Sequence, residues 1–228
     1  MSHDKIASTF DDWAAEGRGE KMEHGHGDVV EQVIGQLDIR PGFQILDLGC
    51  GNGWATRLLA KTHAGVQAIG VDASKAMVAK AEELHSYTIR ARYEVGHFEA
   101  LDFNDAKFDL AFSMEALYYA PDLEKALGEI HRVLKPGGRA HIVMDLWTGR
   151  PGTSGWSDGV GLPMRSHTPE EWTALFEQAG FGDVTAQQVV DRRPPNEESF
   201  TPSSDYPDFA TLQGYHAAGA LWMQGTKA

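Results

Sequence analysis

Ile45-Leu46-Asp47-Leu48-Gly49-Cys50-Gly51-Asn52-Gly53-Trp54 is the stretch that decides the fold. The apolar run Gln44–Leu48 ends in glycines and reads as a buried parallel strand. Trp54–Ala60, with Ala55, Leu58 and Leu59 on one side, reads as the helix that follows. Upstream, Asp28 looks like the cap of an amphipathic helix over 29–37, and Arg40-Pro41-Gly42 is a turn. Downstream the periods alternate. Strands are expected over 66–71, 91–95, 108–113 and 140–146, and helices over 76–84 and 123–134, with Pro136-Gly137-Gly138 as the turn into 140–146. That cadence predicts an α/β fold, doubly wound, with a mostly parallel seven-stranded sheet and helices on both faces. The stretch 148–167 reads as a loop, and Thr168-Pro169-Glu170-Glu171 as a capping box opening a helix to Gly180. A strand over 184–190, a loop over 191–208 and a last strand over 220–226 complete the pattern.

The chain has 228 residues, 42% of them hydrophobic and 23% charged, enough apolar material for one sizeable core. No break in composition divides it, so a single domain over 28–228 is expected behind a polar, glycine-rich segment, 1–27. The formal net charge of -13 repels phosphate backbones and anionic lipid, so neither a nucleic-acid nor a membrane partner is expected. One cysteine, Cys50, excludes a disulfide framework or a multi-thiol metal site. His24 and His26 in Glu23-His24-Gly25-His26-Gly27 make a weak metal pair, and no metal is expected. With no apolar leader in the N-terminal residues, a cytoplasmic protein is expected.

Spacing separates two classes of cofactor. Dinucleotide binding wants G-x-G-x-x-G, and here Trp54 holds the place of the third glycine, where a bulky ring opposes a pyrophosphate seat. A phosphate-free nucleoside such as S-adenosylmethionine needs no such seat. Asp72, at the end of the second strand, is placed to accept hydrogen bonds from both hydroxyls of a ribose in either cofactor, or else to cap the next helix.

Ile45–Gly53 followed by Val71-Asp72-Ala73-Ser74 resembles the class I S-adenosylmethionine-dependent methyltransferase family, in its methyltransferase domain 11-like branch of small-molecule enzymes. Gly96–Leu101, Phe108–Ser113 and Glu129–Arg139 resemble the family's later segments, in the same order. The likeness runs from about residue 30 to 190 and implies a Rossmann-like fold with S-adenosyl-L-methionine as cofactor. It further implies that Asp47 orients the cofactor's ammonium and that Gly49, Gly51, Asn52 and Gly53 pass beside its methionine and ribose. Asp72 would hold the ribose, Ala73 and Met77 would line the adenine, Phe98 would offer it a backbone amide, and Ser113 and Met114 would lie under the sulfonium. The family often has Asp where His97 stands; a neutral imidazole there can accept one adenine hydrogen bond through a single nitrogen.

Methyl transfer from a sulfonium chiefly requires a positioned nucleophile. Tyr118 and Tyr119, after the fourth strand, are the candidate catalytic pair, as a proton relay or as an aromatic face; either can instead pack against the next helix. Glu115, Asp145 and His167 are secondary candidates whose plainer readings are a solvated loop acid, a strand end and a surface histidine. Segment 1–27 reads as a lid, with Trp13 over the sulfonium side. The expected partner is a small-molecule methyl acceptor offering an N, O or C nucleophile. Its identity and the oligomeric state are not legible. A non-catalytic binder of the same cofactor and a nicotinamide oxidoreductase are the competing functions.

Overall fold

β1 (Gln44–Leu48) lies at the centre of a seven-stranded sheet in the computed structural model, which describes residues 2–228. It pairs in parallel with β2 (Gln67–Asp72) on one side and β4 (Phe108–Met114) on the other. β3 (Ala91–Val95) extends the parallel sheet beyond β2, and β5 (Leu134–Met144) extends it beyond β4. β7 (Ala220–Lys227) runs antiparallel between β5 and β6 (Phe181–Val189), giving the order β3-β2-β1-β4-β5-β7-β6. The chain winds outward in opposite directions from β1 and β4. The crevice above the carboxyl ends of those two strands is therefore the place such a sheet offers a ligand.

Both faces are covered, which is why β1 is buried from Ile45 to Leu48. On one face α2 (Arg18–Ile34) and α3 (Trp54–Ala60) bury Val29, Val30, Val33 and Leu59. On the other, α5 (Leu123–Val133) and α7 (Pro169–Gln178) bury Leu127, Ile130, Trp172 and Phe176. α5 starts where the Asp122 carboxylate accepts the Lys125 N–H, and α7 starts at the expected capping box of Thr168 and Glu171. Among the described residues no helix is long and apolar enough to cross a membrane.

Four segments differ from the sequence reading. The N-terminal stretch is helical, as α1 (His3–Ala15) and α2, which runs straight through the glycines of 23–27. Each interior glycine costs about 1 kcal/mol against alanine, so the local signal was weak. Valine packing holds the helix, as does Arg193, which donates from Nη1 to the carbonyl of His24 and from Nη2 to that of Gly25. β5 begins at Leu134, earlier than expected, with the Pro136–Gly138 bend inside it and a shift in its register with β4. The expected loop 148–167 contains a short helix, α6 (Trp156–Val160). α8 (Phe209–Ala218), capped by Asp208, precedes β7; it buries no residue and so left no apolar stripe to read.

Candidate active site

The turn after β1 keeps its glycines for different reasons. Gly49 and Gly51 both have positive φ, 72° and 52°, a conformation that costs little only without a Cβ. A Cβ on Gly49 would come within 2.1 Å of the Ala116 Cβ, so this glycine is needed for packing against the β4 loop. A Cβ on Gly51 would meet nothing within 4 Å and would project from the wall of a cavity of about 740 Å³. The cavity lies over the carboxyl ends of β1, β2 and β4, under α1 and beside α6. Every cofactor or catalytic candidate named from the sequence lines it except Gly53 and Ser113; of the secondary candidates Glu115 lines it, and Asp145 and His167 do not. Gly53 sits against the Tyr93 ring, 2.4 Å from where its Cβ would be. Ser113 is fully buried and donates its hydroxyl hydrogen to the Leu48 carbonyl at 2.8 Å, tying β4 to β1 with no face for a ligand.

Asp72 accepts the Gly51 N–H and the Ser74 N–H, each at 2.9 Å, so its carboxylate is fixed between the turn and the start of α4 (Lys75–Glu83). Burial raises its pKa against the pull of those donors. Asp47 accepts the Thr56 hydroxyl at 2.5 Å and is pushed up to about 7, chiefly by burial and further by the charge of Asp72. The plainer alternative for Asp72, a solvated cap, does not describe a side chain 8% exposed on a cavity wall. His97 stacks on His3 at 4.1 Å, and its pKa is lowered, first by burial and then by the charge of His3, which keeps the ring neutral. Its Nδ1 and the Nδ2 of Asn52 are buried polar atoms without a hydrogen-bond partner among the described residues. An adenosyl ligand carrying hydroxyls, an amino group and no phosphate fits this wall, with bare backbone at Gly51, two acids and two orphaned polar atoms.

α1 forms the roof, presenting Ile6, Phe10 and Trp13 to the cavity. It is anchored by Asp11, whose Oδ1 accepts the Ser74 hydroxyl at 2.5 Å and the Ala76 N–H at 3.0 Å at the first turn of α4. Trp13 is also covered by Arg18, 4.2 Å above its ring.

Tyr118 and Tyr119 are buried in the wall. Tyr118 donates to Glu115 Oε2 at 2.8 Å, and burial first, then the neighbouring acid, raises its pKa well above the usual phenol value. Tyr119 is raised for the same two reasons, and Phe10 packs on it edge-on. Tyr118, committed as a donor to a carboxylate, holds that carboxylate in place and is badly disposed to take a proton from an acceptor.

The sequence reading ranked the residues beside them too low. Glu115 is 7% exposed at a positive φ of 53°, a strained position for a residue with a Cβ. Its Oε1 accepts the backbone N–H of Asp145, and burial followed by the charge of Asp145 pushes its pKa up to about 7. Asp145 in turn faces His26 Nδ1 at 3.2 Å and accepts from the Tyr215 hydroxyl at 2.8 Å and from Arg150 Nη1. Ligand atoms of His26, Glu115 and Asp145 lie within 4.8 Å of one another, but a guanidinium already paired with Asp145 opposes a divalent cation there. Arg150 and Tyr215 carried no sequence signal. His167 lies away from the cavity, 3.6 Å from Glu171.

Comparison with known proteins gives the family. The family model described as a methyltransferase domain matches residues 46–142. O-methyltransferase resE of Aspergillus sclerotiorum is 35% identical over 190 residues, which are 80% of this chain and 71% of that protein. The 2-methyl-6-phytyl-1,4-hydroquinone methyltransferase of Synechocystis is 33% identical over 60% of this chain and 50% of its own length. Among solved structures, the methyltransferase in complex with the Haloferax volcanii Trm112 methyltransferase activator superposes with a TM-score of 0.88 at 30% identity, covering 95% of this chain and 96% of that one. The last finding overturns the expectation of a small-molecule acceptor with no macromolecular partner. A full-length relative that assembles with an activator protein can borrow surface and charge from it, so the net charge of one chain does not decide what it meets. The nicotinamide alternative also falls. With its cofactor S-adenosyl-L-methionine, this enzyme belongs to the class I S-adenosylmethionine-dependent methyltransferase family.

Proposed function

We propose that this methyltransferase works with an activator protein of the Trm112 kind and transfers a methyl group to an N, O or C nucleophile presented by a macromolecule. The observation that carries this reading is the full-length likeness to the Haloferax volcanii methyltransferase held in complex with its activator. A second feature supports it and suggests where the partner docks. β3 is a free sheet edge, and of the four large apolar residues left exposed among those described, Val95 ends it and Leu84 and Tyr87 lie in the segment leading into it. Unprotected edges with apolar flanks favour pairing with a strand of another chain.

Bound in the cavity, S-adenosylmethionine supplies a methyl carbon activated by a positive sulfur. The chain's own residues have separate tasks in this proposal. Asp72 accepts from the ribose hydroxyls, Asp47 orients the ammonium, and His97, Phe98, Ala73 and Met77 enclose the adenine. Trp13, Phe10 and Ile6 exclude water from above, which strengthens each of those contacts.

Transfer of tritiated methyl into the protein, RNA and low-mass fractions of a cell extract, with and without the activator, tests the reading. Label in a macromolecular fraction, at least tenfold higher with the activator, is expected. Val95→Asp is expected to remove the activator's effect and leave S-adenosylhomocysteine binding intact. Label confined to the low-mass fraction and indifferent to the activator would refute the proposal.

A further inference from the structure

We propose that His26, held by Asp145, is the group that takes the proton from the methyl acceptor, which narrows the nucleophile to an O–H or N–H. The inference rests on the methyltransferase reading of the cavity and adds to it a residue from α2 that the family resemblance did not assign.

The sheet gives the direction. Gly51 and Asp72 place the nucleoside end of the cavity over β1 and β2. Neighbouring strands stand about 4.8 Å apart, so moving across the order β2-β1-β4-β5 leads from that end to the far wall over β4 and β5. Glu115 and Asp145 stand at the carboxyl ends of those two strands, and His26 reaches the same wall from α2. His26 lines the cavity with its side chain 16% exposed.

The tautomer follows from the contacts. Nδ1 lies 3.2 Å from Asp145 Oδ2, and the charge of that carboxylate favours the neutral ring's hydrogen on Nδ1. Nε2 has no hydrogen-bond partner among the described residues and keeps a free lone pair. Asp145 is held by Arg150 Nη1 on Oδ1 and by the Tyr215 hydroxyl on Oδ2, while its backbone N–H donates to Glu115. Arg150 also donates from Nε to the Tyr215 carbonyl and lies 3.6 Å over the Tyr215 ring, so the orienting carboxylate cannot swing. Arg150 already balances the charge of Asp145. A histidine added to a neutralised pair is unnecessary for stability, and one with an accessible Nε2 is equipped for proton exchange.

The balance of the step is simple. The acceptor's lone pair forms the new bond to the methyl carbon, and the carbon–sulfur pair returns to sulfur, which becomes a neutral thioether. The acceptor's proton passes to Nε2. The positive charge lost at sulfur thus reappears on an imidazolium facing Asp145, and solvent later removes the proton.

The charged groups that reach His26 are Glu115 after β4 and Asp145 and Arg150 after β5. Burial disfavours the imidazolium, but the contact with Asp145 and the charges of Asp145 and Glu115 outweigh it, against a smaller opposing effect from Arg150, and the pKa is raised.

Histidine NMR on the isotope-labelled full chain tests the assignment without an identified acceptor; His26→Gln identifies the signal. The wild-type protein is titrated with S-adenosylhomocysteine and again with S-adenosylmethionine. A unit charge about 6 Å away shifts a pKa by roughly half a unit even at the dielectric of water. His26 is expected to titrate above 6.5 with the thioether, at least half a unit lower with the sulfonium, and as the Nδ1–H tautomer when neutral. Asp145→Asn is expected to lower the pKa further; if that variant does not fold, the two wild-type titrations still decide. Equal pKa values in both complexes, or an Nε2–H tautomer, would overturn the proposal. Failure of either ligand to bind at millimolar concentration would instead remove the methyltransferase reading itself.

Discussion

Alanine at Gly51 and alanine at Gly49 separate a ligand's seat from a packing contact. Both residues have positive φ, so each substitution carries a backbone penalty of roughly 1–2 kcal/mol. At Gly51 nothing in the protein opposes the new methyl within 4 Å. The backbone penalty is then the whole cost, and at about 2–4 °C per kcal/mol for a chain of this size the Tm falls by roughly 2–8 °C. At Gly49 the methyl would stand 2.1 Å from the Ala116 Cβ, and forcing that contact adds about 1–3 kcal/mol or more. Gly49→Ala therefore loses roughly twice as much stability. Binding reverses the ranking. The Gly51 methyl projects into the cavity, and if the cofactor rests on that backbone the same overpacking cost of about 1–3 kcal/mol appears in affinity, a loss of roughly 5- to 150-fold. Calorimetry with S-adenosylhomocysteine measures the affinities and thermal melts the stabilities. A well-folded Gly51→Ala protein that binds within twofold of wild type would refute the cradle, and with it the placement of the nucleoside.

Asp47 titrates near 7 in the folded protein, above the value of a free carboxyl, so between about pH 4 and 7 the folded state holds a proton that the unfolded chain has released. Stability without ligand should fall as pH rises through that window, and Asp47→Asn should flatten the slope in melts taken across it. Asp11→Ala removes two hydrogen bonds between α1 and α4, one of them to a backbone N–H of α4's first turn. S-adenosylhomocysteine should dissociate about tenfold faster from that variant, and hydrogen exchange should quicken in α1; unchanged dissociation would show that α1 is not a lid.

Much of the sheet could be read from the sequence because a strand buried on both faces is written as a nearly continuous apolar run: Leu110–Phe112 is unbroken, and Ile45–Leu48 is interrupted only by Asp47. The cofactor wall was legible for a related reason. Asp72 ends β2, and Gly51 and Phe98 sit on short turns that follow β1 and β3, so their place in space follows from their place in the chain. The acceptor wall has no such shortcut. His26, Glu115, Tyr215 and the pair Asp145 and Arg150 arrive from four separate segments, and each residue is ordinary by itself. His26 was further disguised by its flanking glycines, which made a helix look like a loop. Ser113 failed in the opposite direction, since its position at the end of β4 was read correctly but its hydroxyl is spent on Leu48.

The two walls also treat their acids differently, and the difference fits a division of labour. Asp47 and Asp72 are buried against neutral donors, with no cation among the described residues hydrogen-bonded to either, so burial holds both pKa values up. The missing positive charge has to come with the ligand, and S-adenosylmethionine brings an ammonium and a sulfonium. Binding then restores ionisation that folding suppressed, so cofactor affinity and ligand-induced stabilisation should both grow as pH rises toward neutrality. At the other wall burial alone would raise Asp145 as well, but His26 and Arg150 reverse it and keep the carboxylate charged. That acid already has its cation and needs none from the acceptor. It can therefore stabilise a charge that appears only as the methyl group moves, which is the condition for lowering a barrier rather than tightening a ground state.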